Sequence, residues 1–224
     1  MPRVLTLVSA AGVAGAAAWT ALAPHSSALS LLVVAGAIVV GAASWLESGP
    51  TSARELTMIA TLAAAAAAGR ILFAAVPGVQ PVTVIAVATG VALGARAGIA
   101  VGGAAALASN FFLGQGPWTP WQMLAWGACG AAGAALAPLL RRRIPFALAC
   151  CVLGFAFSVV MDLWEWYSFF PHTSSALLVQ LSRGLWFDTA HAIGNVVIAL
   201  AIGPELRRML ERYGKRLHTE VVWA

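Results

Sequence analysis

The chain has 224 residues, 61% of them hydrophobic and 9% charged, with a formal net charge of +5 and a mean hydropathy of +0.87. Soluble domains carry roughly 25% charged residues, so a large buried core does not account for this balance, and the composition predicts an all-α, polytopic membrane protein in the lipid bilayer. Nucleic acid is excluded as a partner despite the basic balance, because the Lys and Arg residues punctuate apolar runs and form no patch with interleaved aromatics.

In chain order, apolar runs separated by polar or Gly/Pro breaks predict eight spans, over residues 4–23, 28–46, 54–76, 80–95, 97–113, 119–140, 146–170 and 184–203. The first follows Met1-Pro2-Arg3 and imitates a secretory signal. Its apolar run is longer than a usual signal core, and Pro24 would sit directly after the Ala21-Leu22-Ala23 cleavage site, so it is read as a retained span. The chain then divides into a two-helix hairpin (1–50), a six-helix core (51–206) and a basic tail (207–224).

An even number of spans puts both termini on one side. Arg3, Arg54, Arg96, Arg141, Arg142, Arg143, Arg207, Arg208, Arg212, Lys215 and Arg216 fall at span ends on that side, against Arg70 and Arg183 on the other. The positive-inside rule makes the basic side cytoplasmic. The opposite face then collects Pro77-Gly78-Val79-Gln80-Pro81, the segment from Ser109 to Trp126 with Asn110, Gln115 and Trp121, and Trp164-Glu165-Trp166-Tyr167 with Pro171-His172.

Ionisable residues inside membrane spans are costly and so are candidates for function. Span seven carries Asp162 and Glu165 one turn apart, and span eight carries Asp188, His191 and Asn195 on one helical face. Span six carries Trp118, Gln122 and Trp126 at intervals of four, again one face. If these faces converge, they make an aromatic-walled pocket with amides and carboxylates, open outward. Arg70 would meet one of the carboxylates or an anionic part of a ligand. Each feature also has a plainer reading: Trp164, Trp166 and Trp186 as interfacial anchors, Asp188 paired with His191 or Arg183 as a packing device, and Arg141 to Arg143 as a cytoplasmic anchor. Gly90, Gly94, Gly98 and Gly102 read as close-packing positions. Cys129, Cys150 and Cys151 have no metal-ligand or redox spacing and read as small packing residues; no metal or cofactor is expected. No hydrolase, metalloprotease or phosphate-loop motif occurs, so the chain is not expected to be an enzyme.

The region from Arg54 to Arg216 resembles the substrate-binding S components of energy-coupling factor (ECF) vitamin transporters, in an actinobacterial-like branch. The segments carrying the resemblance are Ala60 to Arg70 (ATLAAAAAAGR), Gln80-Pro81-Val82-Thr83, the GPWTPWQM stretch with Trp126-Gly127, and Phe187-Asp188 through His191 and Gly194-Asn195 to Gly203-Pro204. The resemblance implies a six-helix binder in a bacterial cell membrane, with the vitamin site lined by the last three helices. It implies docking through Ala60, Ala64 and Ala68 on a membrane-embedded T component driven by two cytoplasmic ATPases. Cobalamin is the favoured vitamin, with riboflavin and biotin as alternatives. Two departures stand out: the extra N-terminal hairpin, and the lack of the His-bearing N-terminus of nickel and cobalt members. The competing expectation is a stand-alone secondary transporter, or an intramembrane enzyme using Asp162, Glu165 and His191.

Overall fold

The computed structural model describes residues 52–217, with side chains to 214, and four helical positions near the N-terminus, Gly12, Ala14, Gly15 and Ala18. The predicted spans over 4–23 and 28–46 otherwise lie outside the described residues, as do residues 218–224. Six helices follow in order: α1 (Ala53–Leu72), α2 (Val82–Leu93), α3 (Ala95–Leu113), α4 (Thr119–Ala135), α5 (Arg143–Phe169) and α6 (Ser174–Leu217). Four of them, α1, α3, α5 and α6, are long and apolar enough to cross a membrane. Ile144, Leu148 and Val152 of α5 and Ile193 and Val197 of α6 point outward from the bundle, as lipid-facing side chains do.

Local chemistry explains where α1 begins and how its outer face stays apolar. The Ser52 hydroxyl accepts from the Glu55 amide at 3.1 Å, the first half of a Ser-x-x-Glu capping arrangement. Thr57 and Thr61, on the exposed face, donate their hydroxyls to the carbonyls of Ala53 and Thr57, so neither presents an unsatisfied group outward.

Helix α2 is the centre of the bundle. Every residue from Val82 to Gly90 is buried, and an apolar helix buried on all sides must be surrounded by other helices. With 12 residues it is about 18 Å long, well short of a bilayer core. It is therefore shorter than the predicted span over 80–95. The cause is Gly94, which joins α2 to α3 as a single-residue turn with φ +90°, a conformation open to glycine. Gly94 has no close neighbour, so of the four glycines spaced by four it makes the turn, and the packing falls to the other three. Gly90 and Gly98 both lie against the backbone of Gly130 in α4, Gly102 lies against Trp126 and Gly127, and Gly133 approaches Val87. Three backbones meet there because no side chain intervenes.

The second difference from the expected spans is α6, which has 44 residues where 184–203 was predicted. Arg183 and the polar residues before it end the apolar run but do not end the helix. At the other end Pro204 lies inside the helix. Proline lacks the N–H that would satisfy the carbonyl of residue 200. The Arg143 guanidinium supplies it instead, donating to the Leu200 oxygen at 2.6 Å. Arg207 similarly donates to the Leu140 carbonyl at the turn after α4, at 2.8 Å. The arginine-rich end of the bundle thus uses its cations to finish helix ends. Gly214 beside Ala92 and Leu93 brings the end of α2 to this same end.

Candidate binding cavity

A cavity of about 430 Å³ opens at the other end, where α1 finishes, α2 and α4 begin, and α5 turns into α6. Its first wall is built around Arg70. The guanidinium lies 4.9 Å from the centre of the Trp126 ring and is held by neutral oxygens only. Nε donates to Gln80 Oε1 at 3.2 Å, and Nη1 donates to Ser109 Oγ and Asn110 Oδ1, both at 2.6 Å. Asn110 in turn donates through Nδ2 to Thr119 Oγ1 at 2.9 Å and Gln122 Oε1 at 2.8 Å. Among the described residues Arg70 has no acidic partner at ion-pair distance; the ion pairs found are Arg207–Glu211 and Arg208–Glu205, at the far end. A buried cation without a counter-charge is expensive, and the neutral network spreads but does not cancel that charge.

The second wall comes from α5 and α6. Gln180 donates through Nε2 to both Asp162 Oδ1 at 3.2 Å and Glu165 Oε2 at 3.0 Å. Asp188 lies close enough to Asp162 for the two carboxylates to interact. Gly184 makes the arrangement possible, since a Cβ there would come within 2.8 Å of Asp162 Cγ. Phe157, Met161 and Phe187 supply the apolar lining, and Arg183, itself exposed, joins the lining as well. A smaller cavity of about 200 Å³ shares Arg70, Gln80 and Phe187 with the first and continues between Phe73, Val76 and Leu113.

The structure brings Arg70, Gln80, Gln122, Asp162, Glu165 and Asp188 to this cavity and places the other expected site residues elsewhere. Trp126 is fully buried beneath it, stacked on Phe157 with ring centres 4.1 Å apart and donating to Thr83 Oγ1 at 3.1 Å. Trp118 folds back over Gly116 and donates to the Gly114 carbonyl, so it does not share a wall with Gln122 as its spacing suggests. Gln115 stays in the loop before α4, where it accepts from Thr119. Trp166 bonds the Pro171 carbonyl in the turn after α5. His191 is completely buried, with Nδ1 2.6 Å from the Gly78 carbonyl and Nε2 3.5 Å from Thr83. Asn195 donates to the His191 carbonyl one turn below. The walls are therefore phenylalanine and polar groups, not the tryptophans expected, and Asp188 is paired with neither Arg183 nor His191 among the described residues. Compared with known proteins, the chain matches no family, no curated protein and no solved structure.

Sequence reasoning missed Gln180, Gly184 and Phe157. The first two were legible by extension: continuing the Asn195, His191, Asp188 face backwards in steps of four reaches Gly184 and then Gln180. Starting the last span at 184 left Gln180 outside it.

Proposed function

We propose that this protein is the substrate-capture subunit of an ECF-type importer, holding a vitamin-class molecule in the cavity and delivering it by docking on a T component with two cytoplasmic ATPases. The observation that carries the reading is the cavity itself, a polar and charged hollow at the end of an apolar bundle, opposite the end where the arginines gather. By the positive-inside rule the cavity then faces outward, where an importer must collect its substrate. Its volume lies at the small end of the range for ligand sites. That supports a compact vitamin of riboflavin or biotin size over cobalamin, whose corrin ring and nucleotide tail need far more room. Ala60, Ala64 and Ala68 lie exposed along the outer face of α1, available to a docking partner. The burial of His191 away from the carboxylates gives the intramembrane-enzyme alternative no support.

Affinity purification of the full chain from its native membrane in mild detergent, followed by mass spectrometry of proteins and small molecules together, tests the reading. A T component, two ATPases and a bound vitamin are expected. A chain recovered alone and empty, and unresponsive to added vitamins, sinks it.

A further inference from the structure

The side-chain amides around the cavity have orientations that follow from their neighbours alone. Arg70 is purely a donor, so the Gln80 and Asn110 atoms that it meets must be oxygens. Asn110 then presents its NH2 to Gln122, whose oxygen must face it. Both Gln80 and Gln122 thus spend their oxygens inside the protein, and neither NH2 has a partner among the described residues. On the opposite wall the logic inverts. Gln180 sits between two carboxylates and must donate to both, which leaves its oxygen unbonded. Asp162 Oδ2 is unbonded as well. Both side chains line the cavity and are only 5% and 8% exposed, with Asp162 Oδ2 packed over Gly184, so Asp162 and Gln180 add acceptors and no free donor to this wall. Asp188, only 3% exposed, lines the same wall and adds another buried carboxyl group that a cationic or N–H-rich group would satisfy.

From this polarity we infer that the cavity takes a bipolar ligand. A carboxylate or other strong acceptor lies on the donor wall of Arg70, Gln80 and Gln122, and a cationic nitrogen or cluster of N–H donors lies on the acceptor wall of Asp162, Glu165, Gln180 and Asp188. The inference rests on the capture reading and names the chemistry of its substrate. An anion beside Glu165 is repelled and a cation beside Arg70 likewise; Arg183, exposed on α6, is the one lining residue of the second wall with the opposite sign.

The test uses the full chain in lipid nanodiscs with the compound it retains, or, where it is recovered empty, with biotin as probe, whose ureido N–H groups and carboxylate have the required polarity. Glu165→Gln and Arg70→Gln are each expected to weaken binding at least tenfold. Blocking the ligand's carboxylate, as in biotin methyl ester, is expected to abolish the sensitivity to Arg70→Gln and to preserve the sensitivity to Glu165→Gln. Should Arg70→Gln fail to assemble, Gln122→Met removes a donor from the same wall and takes its place. A retained compound lacking either end, or an affinity unchanged by a variant of either wall, overturns the two-wall assignment and leaves capture standing. A chain that retains nothing and binds neither biotin nor any other added vitamin removes the capture reading and this inference together.

Discussion

The two halves of this bundle solve the same problem, helices in contact inside an apolar medium, by opposite means. Where α2, α3 and α4 meet, glycines let backbones touch, and Gly90, Gly98 and Gly130 leave no room for a side chain. Where α5 and α6 meet near the cavity, a glycine at 184 again permits close approach, but what fills the space is a carboxylate. The first contact is made by backbone with no side chain between, whereas the second holds two neighbouring carboxyl groups and an unbonded amide oxygen. Close packing in the one region provides the rigid frame against which the other keeps polar groups without protein partners. The difference implies that filling space is the costly substitution in the first region and removing charge the stabilising one in the second.

The largest effect is expected at Gly130. A side chain there meets the backbone of Gly98, which cannot rotate away, so Gly130→Val should separate α3 from α4 and cost about 3 kcal/mol or more. Gly103 lies on the same helix pair, but a methyl group added there would come no closer than 3.8 Å to α4, at the Met123 carbonyl oxygen. That is ordinary van der Waals contact, so Gly103→Ala should be tolerated. Thermal unfolding of the two variants in detergent measures the contrast. Equal stability would mean that the glycine contact is not what holds the frame.

Much of the frame was readable in the sequence, because run length alone separates α1, α3 and α5 from their connections and locates the middle of α6. What escaped was anything set by a single residue's conformation. Gly94 looks like its neighbours at intervals of four and becomes a turn only because the chain reverses there. The site was legible to the extent that a polar residue in an apolar run is conspicuous, which is why Arg70, Gln122, Asp162 and Asp188 were found. Helical spacing places Trp118 and Trp126 on the Gln122 face, but it does not say that one folds over Gly116 and the other sinks onto Phe157. Those outcomes depend on the loop before α4 and on the depth of the core, neither of which leaves a periodic trace.

At the cavity, a substitution that removes charge should stabilise. Asp188→Asn keeps the shape of the side chain and removes an ionisable group from a position only 3% exposed, so the bundle should gain about 1 kcal/mol, or about 2–4 °C in midpoint, while affinity for a cationic or N–H-rich ligand falls. Thermal unfolding and ligand titration on the same preparation separate the two effects. A loss of stability would show instead that Asp188 is a structural anchor and that the polar wall is part of the frame.

The smallest effect on the bundle is expected on α1, and it bears on which surfaces belong to neither half. Ala64 is exposed, so Ala64→Trp should change stability by no more than about 0.5 kcal/mol and leave ligand affinity as it was. A tryptophan there replaces a smooth face with a protrusion across the surface proposed to meet the T component, so uptake by cells should fall sharply while binding by the purified chain persists. That dissociation of uptake from binding distinguishes a docking face from a lipid-facing one. Uptake that survives the substitution would assign the alanine stripe to lipid and move the docking surface elsewhere, whereas loss of binding would show that this face is packed against another part of the chain.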